Sequence, residues 1–231
     1  MRFNSNECKA LLSREPLMIE TGVERLSSGG MHIAIRMILE DCNAEMLKWW
    51  FGCECDTDMY TMWHPGAHKY SAWGNFESYY KKGDAMGSTH FIKETLGNDP
   101  QEQEMQLKYL NPTEFYGEDS VAKAKENGDA DVLLYGVGGP LAGPKNEKGE
   151  PIFMTYLGVG RDTFDGLVLR NHYWIGDTLP IPAQEVEKLV PTEFALNLML
   201  HDSNEFHILG KAIPPYYRRG NWGTMKTPEP F

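Results

Sequence analysis

The sequence predicts an α+β domain, an antiparallel sheet followed by a long helix towards the C-terminus, and three observations carry that expectation. Two pairs of extended stretches flank turn signals, at Ser27-Ser28-Gly29-Gly30 and at Asp162-Thr163-Phe164-Asp165-Gly166. The helical candidates are segregated, early in the chain and near its end, instead of alternating with strands. Within Thr192 to Phe206, Phe194, Leu196, Leu198, Met199 and Leu200 make a strongly apolar run, too long for a typical strand, with Pro191 as a start signal.

Taken in order, residues 1–16 form a polar lead-in and residues 17–26 look extended. Met31 to Leu39 alternates as the returning strand of a hairpin. Asp41 or Asn43 can cap a helix through residues 44–51, whose Met46, Trp49 and Trp50 share one face and pack as core. Residues 52–87 are rich in Gly, Tyr and Trp but weakly periodic, which predicts a long functional loop too aromatic to be solvated. Ser88 to Thr95 and Glu104 to Leu110 read as strands, and residues 118–127 as a surface helix or loop. Asp131 to Val137 is an apolar strand broken by Gly138-Gly139-Pro140; no Gly-Lys-Ser/Thr follows, so these glycines are not a phosphate loop. Ile152 to Gly160 and Leu167 to Ile175 form a second hairpin. Pro180 and Pro182 introduce a helical region of about residues 183–209 that Pro191 kinks or splits, and residues 211–231 read as an irregular tail.

At 231 residues, with 41% hydrophobic and 24% charged, the chain suits a single domain, 1–231, around one core. A net charge of −11 argues against nucleic acid or an anionic membrane as partner. The first residues lack an apolar signal region and no apolar run approaches membrane length, so the cytoplasm is the expected location. Cys8, Cys42, Cys53 and Cys55 fit no zinc-finger spacing and are read as reduced structural thiols.

His201 and Glu205 are four apart on the predicted helix, so imidazole and carboxylate share a face and can converge on one divalent metal; an exposed His–Glu pair is the alternative. Two of the seven histidines, His64 and His68, fall in Tyr60-Thr61-Met62-Trp63-His64-Pro65-Gly66-Ala67-His68. His90 and Glu94 follow on a predicted strand.

These residues also carry a family resemblance. Glu45-Met46 before Trp49-Trp50-Phe51, Tyr60-x-x-Trp63-His64-Pro65-x-x-His68, Glu94-x-x-Gly97 and His201-x-x-x-Glu205 occur in one order over about residues 17–210. In these blocks the chain resembles the 2,4-diacetylphloroglucinol and phloretin hydrolases, zinc enzymes that cut the carbon–carbon bond between a phenol ring and its acyl group. The resemblance implies a Bet v 1-like helix-grip fold, in which a curved antiparallel sheet grips a long C-terminal helix over a cavity. It implies Zn2+ held by His68 (or His64), Glu94, His201 and Glu205, with a coordination position left for water.

The substrate so implied is a small aromatic ketone on a polyhydroxylated ring. Tyr60 is similar to a family tyrosine that holds a substrate hydroxyl. Trp63, Tyr173, His90 and His172 are candidates for substrate contact or proton transfer, and His64 for a supporting or substrate-facing group. Tyr60 to His68 meets the family's spacing, whereas His64 lies nearer its spacing to Glu94; a deletion between Lys82 and Ser88 would reconcile the two in favour of His68. Ser71 stands where the family has a hydrogen-bonding Asn, so the substrate contact there is altered. Family members use a long N-terminal extension in dimer contacts; only about 16 residues precede the first strand here, so a homodimer is left as an open alternative. Two other functions fit the same features: a non-catalytic carrier of aromatic or polyketide ligands, and a metal-dependent polyketide lyase or cyclase.

Overall fold

The computed structural model describes residues 3–53, 55–74 and 85–219. Strands β1 (Gly22–Arg25) and β2 (Met31–Leu39) are the first expected hairpin. Further along come β3 (His68–Gly74), β4 (Thr89–Thr95), β5 (Glu102–Tyr109) and β6 (Val132–Pro140). The second expected hairpin, β7 (Met154–Thr163) and β8 (Gly166–Ile175), places β8 against β2. All pairings are antiparallel, and the order β1-β2-β8-β7-β6-β5-β4-β3 makes one curved sheet of eight strands.

The helices are α1 (Ser5–Cys8), α2 (Ala44–Phe51), α3 (Thr57–Trp63), α4 (Pro112–Tyr116), α5 (Glu118–Glu126), α6 (Ala183–Leu189) and α7 (Thr192–Arg218). Asn43 caps α2, its side chain accepting from the Met46 N–H at 2.9 Å. Pro191 separates α6 from α7, the second of the two outcomes expected there.

Side chains alternate across the sheet, and this parity decides what reaches the helix. From β8, Leu167, Leu169, Tyr173 and Ile175 join the core that α7 covers with Ala195, Leu198, Phe206, Leu209 and Ile213. Each fully buried aliphatic side chain here contributes about 1.5–3 kcal/mol. Gly210 lets α7 lie close on β2, since a Cβ there would stand 3.0–3.1 Å from Leu39. The opposite face packs Trp174 with Cys8, Leu11, Leu12, Tyr116 and Val121. Arg170 on that face donates to the carbonyls of Ser13 and Glu15 and to the Glu20 carboxylate, so the lead-in is strapped to the sheet.

Three expectations are corrected. Residues 52–87 are not a continuous loop. Asp56 caps α3, accepting from the Met59 N–H at 2.9 Å, and β3 follows one turn later. The strand expected to break at Gly138 runs to Pro140, because β5 pairs with it as far as Met105↔Pro140. The terminal helix continues through Pro214 and Pro215 to Arg218; Ile213 is fully buried and Tyr217 packs edge-on against Trp49 at 5.7 Å, so packing overrides the prolines' local preference. The expected deletion near Lys82, and the tail beyond 219, lie outside the described residues. Among the described residues no helix is long and apolar enough to cross a membrane.

Candidate metal and substrate site

Phe194, Leu198, His201 and Glu205 stand at i, i+4, i+7 and i+11 on α7, one stripe facing a cavity between helix and sheet. The sheet supplies His90, Ile92 and Glu94 from β4, Met105, Gln106, Leu107 and Tyr109 from β5, and Tyr173 and Ile175 from β8. Tyr60 and Trp63, one helical turn apart on α3, close one side. The cavity is about 90 Å³.

His68, Glu94 and His201 converge at its wall, each buried, with ligating atoms within 4.8 Å of one another. The two Nε2 atoms are 3.3 Å apart, and Glu94 Oε2 is 3.6 Å from each. Glu205 Oε2 joins at 3.4 Å from His68 Nε2 and 3.9 Å from His201 Nε2. Beyond the His pair these separations are long for hydrogen bonds. They match what a small cation asks for: four atoms bound tetrahedrally at about 2.0–2.1 Å lie roughly 3.3–3.4 Å apart.

The surroundings orient His68 in the same sense. Its Nδ1 is 2.8 Å from the Tyr60 carbonyl, which can only accept, so Nδ1 carries the proton and Nε2 offers a lone pair to the cluster. The ring stacks on Tyr60 at 3.7 Å and 7°, and burial pushes its pKa down to about 4, which keeps it neutral. The Tyr60 hydroxyl donates to Glu94 Oε2. Burial holds the Glu205 carboxyl well above the usual range, with Asp202 and Glu94 adding to the rise and His201 opposing it. A divalent cation among these groups would reverse that balance. Imidazole nitrogens and carboxylate oxygens converging at these separations are a donor set that suits such an ion.

The remaining expected site residues divide. Trp63 lines the cavity and donates from Nε1 to the Glu205 carbonyl at 3.0 Å, fixing that turn of α7. His90 and Tyr173 line it as well. His64 does not; its ring packs 5.4 Å from His68 and 5.1 Å from His201, and burial pushes its pKa down to about 4. Ser71 is turned into the wall, where its hydroxyl donates to the Cys55 carbonyl and meets His90 Nε2, instead of facing the cavity. His172 is a correction. Its neighbours Asn171 and Tyr173 face α7, so parity puts His172 on the far side of the sheet, paired with His32 at 2.9 Å.

Asp202 went unforeseen. It is fully buried beside the site and accepts from Tyr173 Oη and from Asn171 Nδ2 at 3.0 Å, while Tyr156 Oη donates to Asn171 Oδ1 at 3.0 Å. A carboxylate on the same helical face as Phe206 and Leu209 is the signal that could have found it. Gln106 also lines the cavity, its amide donating to the Leu141 carbonyl at 3.2 Å.

Fold and site together define a helix-grip protein with a buried His/Glu cluster opening on an apolar cavity. The chain belongs to the DAPG hydrolase family, whose PhiG domain model matches residues 3–218. It is 23% identical over 229 residues to the 2,4-diacetylphloroglucinol hydrolase of Pseudomonas protegens, covering 90% of this chain and 71% of that protein. Among solved structures, a protein from Nitrosomonas europaea has a TM-score of 0.46 at 10% identity, covering 80% of this chain and 97% of that one. Ara h 8.0201 has a TM-score of 0.37 at 11% identity, covering 81% and 99%. Those two likenesses are remote.

Proposed function

We propose that the chain is a zinc-dependent hydrolase that cuts the carbon–carbon bond between a polyhydroxylated aromatic ring and its acyl group. The observation that carries this is the cluster of His68, Glu94, His201 and Glu205 at the wall of an aromatic-lined cavity, in a chain of the DAPG hydrolase family. These four residues would hold the metal. A bound Zn2+ supplies Lewis-acid polarisation of a carbonyl and lowers the pKa of water from 15.7 towards about 7.

The protein's own groups do the rest by placement. Tyr60 holds Glu94 by its hydroxyl and His68 by its carbonyl, so both stay aimed inward. Ile92, Leu96, Leu107, Phe153 and Phe194 exclude water from the ring-binding volume and favour a flat apolar ligand. In the reaction, water's oxygen joins the acyl carbon and the bond from that carbon to the ring breaks. The ring carbon keeps the electron pair and takes up a proton, and a carboxylic acid departs. A polyhydroxylated ring assists because its 1,3-diketone tautomer lets the ring carbon leave as a stabilised carbanion equivalent. A chain whose cysteines are buried or half-buried thiols suits a reducing compartment, and a cytoplasmic location is part of this proposal.

A ligand carrier in the same cavity would need no metal, so metal analysis of the purified protein tests the proposal. About one zinc per chain, lost with activity on strong chelation, is the expected result. Metal-free protein with activity indifferent to chelators would remove the proposal.

A further inference from the structure

A hydrogen-bond relay runs behind the cavity wall from the Cys55 carbonyl through Ser71 to His90. The Ser71 hydroxyl oxygen and the Cys55 carbonyl oxygen are in close contact, and two oxygens so close need the one available proton, that of Ser71, between them. The same carbonyl takes its second donor from Trp73 Nε1 at 2.9 Å. With its proton committed, Ser71 Oγ can only accept from His90 Nε2, at 2.7 Å. Nε2 therefore carries the ring proton of His90. Burial, reinforced by the nearby His68, pushes the His90 pKa down to about 3, so the ring is neutral and Nδ1 keeps a lone pair.

The ring has little freedom to leave this state. Trp73 stacks on it at 4.0 Å and 7°, and Tyr60 meets it edge-on at 5.3 Å and 78°. Ser71 is pinned in turn. Its N–H donates to Thr57 Oγ1 at 3.1 Å, and its carbonyl accepts from the same hydroxyl at 3.1 Å. Two of the tyrosines on the cavity wall are committed in the same direction, Tyr60 donating to Glu94 and Tyr173 to Asp202. Each hydroxyl oxygen keeps only lone pairs to offer a ligand.

We propose that Ser71 is a positioning residue that locks His90 as an acceptor on the cavity wall, so that His90 selects ligands presenting a hydroxyl donor to Nδ1. This rests on the acylphenol reading above and adds to it the group that reads one ring hydroxyl. An ether oxygen in that place sets lone pair against lone pair, and the committed hydroxyls of Tyr60 and Tyr173 supply no donor to rescue it.

The test needs no turnover. In protein as purified, labelled with 15N-histidine, the His90 resonances (assigned with a His90→Gln variant) should show the Nε2–H tautomer. Ser71→Ala should shift them towards a tautomer mixture. Affinities are then compared by calorimetry for ethyl-trihydroxybenzene, which has no ketone to cleave, and for each of its mono-O-methyl ethers. At least one ether should bind about tenfold more weakly to the parent, the effect of one good hydrogen bond, and His90→Phe should erase that preference. A His90 ring protonated at Nδ1, or equal affinity of the parent for the phenol and every ether, overturns the inference. A protein that shows the preference yet cleaves no acylphenol upholds this inference and removes the hydrolase proposal. One that cleaves phenol and ethers alike does the reverse.

Discussion

The Nε2 atoms of His68 and His201 stand 3.3 Å apart, while the other nitrogen of His68 is already committed to the Tyr60 carbonyl at 2.8 Å. The His68 lone pair therefore points into a space bounded by a second imidazole and the oxygens of Glu94 and Glu205. The same arrangement separates His68 from His64, which touches the cluster only by ring packing. His68→Ala should lower zinc affinity by more than the 10–100-fold typical of losing an outer partner of a metal ligand, and His64→Ala should keep zinc near the parent level. Metal content per chain after dialysis decides it. Zinc retained by His68→Ala and lost from His64→Ala would reverse the assignment.

The cysteines should be dispensable for metal. Burial raises the Cys42 and Cys53 thiols to about 12 and holds Cys55 well above the usual thiol value, so all three are protonated at neutral pH and are poor ligands. The triple Ser variant, checked for fold by circular dichroism, should hold as much zinc as the parent. Loss of metal with the fold retained would contradict the His/Glu site.

Gly97 links the Glu94 strand to the helix that carries His201. Its φ is +54°, and a Cβ there would stand 2.7 Å from the Asn197 carbonyl oxygen. Gly97→Ala should destabilise the fold by about 2–3 kcal/mol through backbone strain and that clash, and weaken zinc binding as Glu94 shifts. Denaturant unfolding with a parallel metal titration checks both; unchanged stability would show that strand and helix are not held together there.

His172 gives a pH prediction. Burial, with His32 adding, pushes it from 6.5 down to about 3. The unfolded chain then binds a proton between those values that the folded chain does not, so this group's effect is to lower stability as pH falls through that window. Replacement by Gln removes the titration. Relative to pH 7, His172→Gln should lose roughly 1–2 kcal/mol less stability at pH 5 than the parent does. Equal losses in both would mean that His172 already titrates in the folded protein as it does unfolded.

What the sequence made legible was whatever repeats with a period. The hairpin strands and the His201/Glu205 face follow from alternation or helical spacing, and the cap narrows to Asp41 or Asn43. The adjacent His172 and Tyr173, by contrast, both stand as candidates in the sequence although strand parity lets only one of them face the helix. Helix α3 was hidden because it spans only seven residues and its aromatic face resembles a pocket-lining loop. The turn of Ser71 into the wall, and the burial of Asp202 against Tyr173, depend on partners 16 and 29 residues away. No local pattern encodes contacts of that kind.

The central claim is tested most directly by the products of an acetylated trihydroxybenzene incubated with zinc-loaded protein. The account predicts acetate and the deacetylated ring in equal amounts, a yield abolished in His201→Ala and Glu205→Ala variants that remain folded. Tight binding with the ketone recovered intact, or conversion without release of a carboxylic acid, would contradict it.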